Sequence, residues 1–455
     1  MKFILDKDLT VLAEKMNKPL YVVGGYCRNY LIDKSYSSDI DLASACSVEE
    51  LVPLLEETGY RITATYKKTG TVVFERNEFR YEYTRMRYDS YAKGGAHVPS
   101  EVTFTDDVTV DAKRRDFKCN AVYYNVKKGE FLDVLGGIED IKNRVLDTVV
   151  SPEKVFESDG LRLLRLARFS AELNFKPTPA VLSAMEKYSA LILDVSGERI
   201  KDELQKILKS DKKYPFSSPN GHYLGLKILS DTGVLARIIP ELSLAKGMAQ
   251  RKDYHNYDVL EHTLRCVLYA PKEVRLSALL HDVGKPYCME NYGKFHGHDK
   301  EGERLAVEIL KRLRFDNKTI AKTRFLVGAH MLDLNGEMRE SKIRLFIAQN
   351  HDRIYDLLSL KQADYSACKD DLSVCPTVKK WKEIIDKMKK ENTPFSLKEL
   401  KISANDLIAL GYQKKQIGDE LKKLFKTVVL DPKLNDKEKL LFIATRSPSV
   451  IDNSI

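Results

Sequence analysis

The stretch that most constrains the fold is residues 21–42, with the sequence YVVGGYCRNYLIDKSYSSDIDL. Its apolar start predicts a short strand, and the two glycines that follow predict a turn into a short helix. A second strand then carries Asp39 and Asp41. Because side chains two apart on a strand point the same way, both carboxylates are expected on one face of a sheet. The stretch therefore predicts an α/β unit with an acidic site.

The chemistry of this stretch favours a metal ion and a phosphate. Two carboxylates suit Mg²⁺, which takes oxygen ligands and favours a triphosphate as a further ligand. Gly25 lets the backbone approach a phosphate, and Arg28 can make a bidentate hydrogen-bond contact with a phosphate. A lone DxD is common on surfaces and a GG pair alone is only a turn. Their combination resembles the nucleotidyltransferase signature of the DNA polymerase beta superfamily.

Length and charge set the wider frame. At 455 residues the chain should hold several domains, and its net charge of +9 suits a nucleic-acid or nucleotide partner without requiring one. The seven cysteines are scattered and form no CxxC, which predicts reduced thiols in a cytoplasm-like compartment. The N-terminus does not read as a signal peptide, and no apolar run approaches membrane-spanning length, so no membrane partner is expected.

The rest of the first 150 residues mixes helices and strands. A helix is expected at 48–58, and strands are expected at 61–66, 71–76 and 80–83. Residues 84–99 predict a mobile loop, either functional or a disordered surface excursion. In RRDFKCNA, Arg115 and its arginine neighbour cannot both face the core, so at least one should meet solvent or a phosphate, with Asp116 beside it.

The segment SDGLRLLRLARF predicts a helix with Ser158 at its start. Asp159 and Arg162 would be neighbours on one face, and Arg165 and Arg168 follow at the same spacing. Cytosine and adenine each show an amine donor beside a ring-nitrogen acceptor, so a carboxylate and an arginine would admit them and refuse guanine and uracil. From this segment alone, an ordinary salt bridge on a solvated helix face is the favoured interpretation of the pair.

Six motifs in order resemble the class II tRNA nucleotidyltransferases, the CCA-adding enzymes. They are GGYCRN, DID, RRDFKCNA, GGIEDI, DGLRLLRLARF and SGERIKDEL. The resemblance implies an α+β fold with a small mixed-sheet nucleotidyltransferase head, DNA polymerase beta-like, followed by a largely α-helical body. It also implies addition of CCA to tRNA from CTP and ATP. Bacterial poly(A) polymerases share nearly all of these motifs, so this product and partial (A-only or CC-only) addition remain alternatives.

The resemblance also implies roles for the matching positions. Asp39 and Asp41 would hold Mg²⁺ and be catalytic. The nucleotide would be bound by Gly25, Arg28, Arg115, Asp116, Asp159, Arg162, Arg165 and Arg168, with Asp159 and Arg162 selecting the base. The family usually has Glu where this chain has Ser158, which puts a supporting contact in doubt. The 84–99 loop resembles the one tied to the switch from C to A addition.

A second constellation lies between residues 250 and 370. His281-Asp282 follows the apolar LSALL and runs into VGK. With His262 upstream and Asp364 downstream it resembles the HD phosphohydrolase domain, and His298 and His330 would complete a second metal position. Imidazole and carboxylate ligands together suit Mn, Co, Ni, Fe or Zn better than Mg. The alternative is a relic domain that acts as a helical spacer, and His351 is expected to be an ordinary helix residue.

The tail from residue 371 is helical and lysine-rich, which suits the tRNA backbone or, equally, a solvated face. We therefore expect a head at 1–150, a helical neck and body at 151–245, an HD domain at 246–370 and a tRNA-binding tail at 371–455. Two rivals from other classes are an HD phosphohydrolase with an RNA-binding head and a non-catalytic tRNA-binding protein.

Overall fold

A computed structural model describes residues 7–35, 38–90 and 100–446. The chain divides into two compact units. The first comprises Met1–Leu244 with Ile309–Phe315, and the second comprises Ala245–Glu308 with Asp316–Ile455. Among the described residues, no helix combines the length and the apolar character that a membrane crossing needs.

The strands all lie in the first unit. In chain order they are β1 (Tyr21–Val23), β2 (Asp39–Ser44), β3 (Arg61–Tyr66), β4 (Thr71–Arg76), β5 (Phe79–Arg85), β6 (Arg87–Ser90), β7 (Glu101–Phe104), β8 (Tyr123–Asn125), β9 (Glu130–Leu132), β10 (Val145–Leu146) and β11 (Lys176–Pro177). Seven form one sheet in the order β3-β4-β5-β2-β1-β8-β9. Within it β2 runs parallel to β5 and the other pairs are antiparallel. The pair β6–β7 forms a separate antiparallel hairpin, and β10 pairs with β11 in parallel.

Helices alternate with the strands in the first part of the chain, and after β11 the regular elements of the described residues are helices. They are α1 (Lys7–Lys15), α2 (Gly25–Asp33), α3 (Val48–Glu57), α4 (Val108–Lys113), α5 (Gly137–Asn143), α6 (Pro152–Ser158), α7 (Leu161–Leu173), α8 (Pro179–Lys187), α9 (Gly197–Leu208), α10 (Gly221–Asp231), α11 (Val234–Ile238), α12 (Val259–Tyr269), α13 (Arg275–Leu280), α14 (Gly284–Tyr292), α15 (His298–Arg312), α16 (Asn317–Ala329), α17 (Glu340–Gln349), α18 (Ile354–Lys369), α19 (Pro376–Lys390), α20 (Ala404–Ala409), α21 (Lys414–Leu430) and α22 (Lys437–Thr445). Short 3-10 helices occupy Lys118–Asn120, Ser189–Asp194, Ser210–Lys212, Pro240–Ala245, Leu397–Glu399 and Pro432–Leu434. The predicted mixed-sheet head with a helical body is confirmed.

Two apolar clusters cover opposite faces of the central sheet. Val22, Ile40 and Leu42 pack in one cluster with α1 and α3, while Tyr21 and Ala43 pack in the other. This alternation follows from the two-residue period of a strand. It places the side chains of β2 that flank Ile40 and Leu42 on the face away from the first cluster, which is how the acidic pair comes to share one side.

Two local predictions need correction. Of the predicted 84–99 loop, residues 84–85 end β5 and residues 87–90 form β6, because each of the latter pairs with a residue of β7. Residues 91–99 lie outside the described residues. His351 lies in a turn after α17 and not in a helix, with its ring 6.4 Å from that of Phe395.

Candidate active site and a second, histidine-rich centre

The acidic pair lies on β2 as its spacing predicts. Asp39 and Asp41 are both exposed, whereas Ile40 between them is buried. The turn at Gly24 packs against this pair, since a Cβ added there would lie 2.7 Å from Oδ2 of Asp41. Gly24 also has φ +77°, a left-handed conformation that favours glycine. Only a residue without a side chain fits this close approach, which leaves one face of the carboxylate open.

A third carboxylate, which the sequence analysis missed, lies beside the pair. In the parallel register of β2 and β5, Glu82 is the partner of Asp41. Glu82 is exposed between the buried Tyr81 and Tyr83. This alternation of a charge with aromatic residues was the available signal, but only the strand pairing brings Glu82 to Asp41.

The charges around Asp41 favour a cation. Desolvation by the surrounding protein raises the pKa of Asp41, and Glu82 raises it further, while Arg115, Arg165 and Arg28 lower it. The net direction is upward, so the ionised carboxylate is not fully compensated by the protein. Together with the oxygen-only donor set and the open face at Gly24, this fits a hard divalent ion.

Arg28 lies in the protein interior beneath the glycine turn. Its side chain is 2% exposed and donates to Oδ1 of Asn120 at 2.5 Å and to Oδ1 of Asn29 at 2.9 Å. Its guanidinium also lies 5.2 Å from the ring centre of Phe169 and 3.3 Å from the hydroxyl of Tyr214. These contacts fix its orientation, and a phosphate at the turn would have to compete with them for its N–H groups.

The RRD motif contributes two buried ion pairs. Nη2 of Arg115 donates to Asp111 at 3.1 Å, and its Nε donates to the hydroxyl of Tyr123 at 3.0 Å. Asp116 accepts from Nε and Nη2 of Arg165 at 2.8 and 2.5 Å. Burial alone would raise the pKa of Asp116, but the guanidinium groups of Arg165 and Arg162 outweigh it and hold the pKa well below its usual range. Asp116 therefore anchors Arg165 as a fixed anion.

The proposed base-selecting pair is arranged differently from the prediction. The expected continuous helix is broken, because Ser158 ends α6, Asp159 is extended and α7 begins at Leu161. At the break the Asp159 carboxylate accepts from the backbone N–H of Leu161, which favours a new helix start. Gly160 lies against the backbone of Leu191, where a Cβ would be 2.3 Å from the carbonyl oxygen. The prediction that Asp159 and Arg162 are neighbours on one helix face is therefore wrong, as is the prediction that Ser158 begins a helix.

Each member of that pair has its own partners. Asp159 accepts from the backbone N–H of Leu161 at 2.9 Å and lies 3.5 Å from Nη2 of Arg199. Arg162 donates to Oγ of Ser158 at 2.9 Å and to the carbonyl oxygen of Arg114 at 2.7 Å. Arg199, from the SGERIKDEL segment, thus links the start of α9 to Asp159.

Arg168 points into the protein. It is 9% exposed and donates to Glu203 at 2.6 Å and to Glu172 at 3.0 Å. Both carboxylates are buried, so Arg168 neutralises them and joins α7 to α9. These contacts indicate a structural role for Arg168, in which it holds α7 against α9.

The second unit brings the HD residues together. Nε2 of His262 lies 3.0 Å from Oδ1 of Asp364 and 3.2 Å from Nε2 of His281. Asp282 lies between the halves of the cluster, with Oδ2 3.2 Å from His281 and Oδ1 3.3 Å from His298. His330 completes it, with Nε2 3.2 Å from that of His298. Two triads in the cluster, His262–His281–Asp282 and Asp282–His298–His330, have the spacing of metal ligands.

The orientation of the histidines fits a metal. Nδ1 of His281, His298 and His330 each lies 2.6–2.8 Å from the carbonyl oxygen three residues earlier, to which a ring N–H must donate. In the neutral tautomer this leaves the lone pair on Nε2, so the Nε2 atoms of His298 and His330 face each other with lone pairs. A cation between them would relieve this repulsion, and carbonyl partners of this kind orient metal-binding histidines.

A cavity of about 730 Å³ opens onto this cluster. Its lining includes Asp282, His298, His330 and Asp364 together with cationic side chains. Lys285, one of these cations, lies 2.7 Å from Oδ2 of Asp282. The arrangement provides metal ligands and positive charge on one wall, which is suited to a phosphate ester.

Comparison with known protein families gives matches to three successive segments of the chain. The Poly A polymerase head domain family matches residues 20–147, the probable RNA and SrmB-binding site of polymerase A matches residues 174–245, and the HD domain family matches residues 253–364. Among solved structures, the Bacillus stearothermophilus CCA-adding enzyme in complex with CTP is similar over 99% of this chain and 100% of its own, with a TM-score of 0.68 and 21% identity. This likeness shows the fold.

Relatives in sequence give the family. The A-adding tRNA nucleotidyltransferase of Deinococcus radiodurans is 30% identical over 377 residues, which are 76% of each chain. The Multifunctional CCA protein of Chromobacterium violaceum is 32% identical over 316 residues, 66% of this chain and 70% of its own. The CCA-adding enzyme of Anoxybacillus flavithermus is 32% identical over 230 residues, which are 50% of this chain and 53% of its own. With this similarity and the matching head, RNA-binding and HD families, the chain belongs to the tRNA nucleotidyltransferase family, whose chemistry implies the use of a divalent metal ion.

Proposed function

We propose that this protein adds CCA to the 3′ end of tRNA from CTP and ATP, releasing pyrophosphate and using no nucleic-acid template. The observation that carries the proposal is the exposed carboxylate pair of β2, with Arg28, Arg115 and Arg165 close enough to lower the pKa of Asp41. Acidic ligands surrounded by arginines suit a metal-bound triphosphate. The matching head family and the relatives in sequence support nucleotidyl transfer to tRNA.

In the reaction, the 3′-hydroxyl oxygen of tRNA forms a bond to the α-phosphorus, the bond from that phosphorus to the bridging oxygen breaks, and pyrophosphate leaves. Asp39 and Asp41 would hold Mg²⁺, which when bound polarises phosphate oxygens and lowers the pKa of the attacking hydroxyl. Arg115 and Arg28 would neutralise the triphosphate, and Gly25 at the start of α2 would offer its backbone N–H.

Base choice is assigned to Asp159 and Arg162. Asp159 would accept from the exocyclic amine of cytosine or adenine, and Arg162 would donate to the ring nitrogen. Arg199 holds the carboxylate on one side and Ser158 holds the guanidinium on the other, so the pair is oriented before a nucleotide arrives. Guanine or uracil would leave these groups unpaired, at a cost of about 1–3 kcal/mol each.

A-only addition is the second candidate. It is favoured by one observation, the A-adding relative from Deinococcus radiodurans that matches 76% of the chain. The two candidates separate on three tRNA substrates, ending before the CCA, after C and after CC, each given CTP or ATP alone. Full addition predicts CMP incorporation on the first two and AMP on the third. AMP incorporation on the third substrate alone identifies the A-only enzyme, and a long A ladder on unrelated RNA identifies a poly(A) polymerase.

For the second unit we assign a metal-dependent phosphohydrolase activity of secondary importance. His262, His281, Asp282 and Asp364 would hold a transition metal such as Mn, Co, Ni, Fe or Zn, and His298 and His330 would complete a second position. All seven cysteines are free, which is in keeping with action in the cytoplasm. The lysine-rich helices after residue 371 are assigned to the tRNA backbone.

A further inference from the structure

Asp111 is not among the residues to which a motif assigns a role. It lies at the centre of a buried cluster of polar side chains. Its carboxylate is 0% exposed. Oδ1 accepts from Nε of Arg114 at 2.7 Å and from the backbone N–H of Arg87 at 3.3 Å. Oδ2 accepts from the hydroxyl of Tyr123 at 2.6 Å and from Nη2 of Arg115 at 3.1 Å. Both oxygens are thus engaged, each by two donors from different parts of the first unit.

This cluster is linked to two parts of the proposed active site. Arg115 lies within electrostatic range of Asp41. The carbonyl oxygen of Arg114 accepts from Nη2 of the base-selecting Arg162 at 2.7 Å.

The same cluster is tied to the β6–β7 hairpin. Arg87 and Asp89 belong to β6, and Asp89 lies 2.8 Å from Nε of Arg87 and 3.8 Å from Nη1 of Arg114. Asp89 is itself 7% exposed, so its pairing with the two arginines is weakly screened by water. A displacement of the hairpin would therefore be felt at Arg114.

We infer that Asp111 is a positioning residue that holds Arg114 and Arg115 in one geometry, and so couples the hairpin to both the triphosphate and the choice of base. The inference rests on the proposed function and assigns a further residue to it. A carboxylate suits this role because it only accepts hydrogen bonds and all four of its neighbours donate. An asparagine would present its N–H group to one of the two guanidinium groups, and that arginine would have to turn away.

The experiment compares Asp111→Asn with wild type for single-nucleotide incorporation on tRNA lacking its CCA. We expect kcat/KM for CTP to fall about 10- to 100-fold, since misplacement of a positioning group by about 1 Å costs on this order. We also expect the preference for CTP over UTP to fall about tenfold, because the backbone carbonyl of Arg114, which accepts from Arg162, is then less firmly held. The discrimination ratio is the decisive readout, since lower stability alone would not change it.

The control is Asp107→Ala on the same helix. Asp107 accepts from the N–H of Thr109 as the cap of α4 and is exposed, so this variant weakens the helix without touching either arginine. It should lower the melting temperature and leave the CTP to UTP ratio unchanged. An equal change of the ratio in the control would overturn the inference.

Two further variants keep the test decisive if Asp111→Asn does not fold. Tyr123→Phe removes the hydroxyl that donates to Asp111 and accepts from Arg115, and keeps the ring in the core. Asp89→Asn weakens only the link to the hairpin. A smaller loss of discrimination is expected in both, and an unchanged ratio in both rules the coupling out. If wild type incorporates no CTP, the proposed function itself fails.

Discussion

The two candidate centres of this protein use carboxylates in opposite ways. Asp39 and Asp41 are exposed on one strand, two residues apart, and their neighbours are arginines, the Glu82 carboxylate and a glycine turn. Asp282 is 1% exposed among four histidines that come from separate parts of the second unit. The first centre leaves ligand positions open for a substrate, whereas the second surrounds its ion positions with protein.

The difference indicates what each centre selects. An exposed oxygen-only pair binds a hard ion weakly until a triphosphate supplies further oxygens, so metal and nucleotide would arrive together. A buried set of imidazoles held by backbone carbonyls can retain a softer ion without substrate. The first centre therefore depends on its nucleotide and the second on its own ligands.

The strongest expected effect is on nucleotidyl transfer. Asp41→Ala should lower CMP incorporation by about 10³-fold or more, because metal-ion catalysis supplies several kcal/mol of transition-state stabilisation. Incorporation of labelled CTP into tRNA measures this, and metal bound by the HD cluster should not change. Asp33→Ala, from the same stretch, is the control and should retain activity. Residual activity within tenfold of wild type for Asp41→Ala would remove this carboxylate from the mechanism.

The converse change sharpens the comparison. Asp282→Ala should reduce the amount of transition metal that copurifies with the protein by about tenfold or more. Even the loss of a hydrogen-bond partner of a metal ligand lowers metal affinity about 10- to 100-fold. Metal analysis of the purified chain measures this, and CMP incorporation should remain near wild type. Asp352→Ala is the control, because it alters another His–Asp dipeptide whose carboxylate pairs only locally, 3.4 Å from Arg353. Loss of CMP incorporation in Asp282→Ala alone would contradict the independence of the two centres.

Both centres could be predicted where local periodicity or a short motif fixes the geometry. The spacing of Asp39 and Asp41 places them on one face of any strand, and the structure has that strand at Asp39–Ser44. The strand at Tyr21–Val23 also agrees with the prediction. The HD residues were found from a His–Asp dipeptide after an apolar helix, although their convergence depends on helices far apart in the chain.

The predictions from sequence were wrong, or missed a residue, where contacts between residues distant in the chain determine the structure. The helix breaks at Asp159, which is extended and accepts from the N–H of Leu161. Beside it Gly160 lies against the backbone of Leu191, a contact between residues distant in the sequence. Glu82 and Asp111 were missed for a related reason. Their significance comes from strand register and from donors distant in sequence, and neither lies in a motif with an evident ligand pattern.

The pH dependence of stability offers a third test, on the buried anions of the first unit. Burial would raise the pKa of Asp111, but Arg115, Arg114 and the Tyr123 hydroxyl outweigh it and lower the pKa to about 2. A carboxyl whose folded pKa lies below its unfolded value near 3.8 stabilises the fold above about pH 4 and loses this as pH falls toward 2. The contribution is about 2 kcal/mol.

The measurement is the difference in unfolding free energy between wild type and Asp111→Asn from pH 5 to pH 2.5. Other carboxyl groups largely cancel in this difference, so it should shrink on acidification. A difference independent of pH would show that folding does not shift the pKa of Asp111, and would contradict its pairing with the two arginines.

The smallest expected effect concerns base choice. Arg199 lies 3.5 Å from Asp159 and orients it without belonging to the proposed reading pair. Arg199→Ala should lower the preference for CTP over UTP by about three- to tenfold, less than Asp159→Ala, because the carboxylate remains but is no longer held. Single-nucleotide incorporation with each triphosphate measures the ratio. Lys201→Ala on the same helix, which pairs with its neighbour Asp202 at 3.3 Å, is the control and should change nothing. If Arg199→Ala matches Asp159→Ala, the arginine itself contacts the base, and the selecting group then extends from α7 to α9.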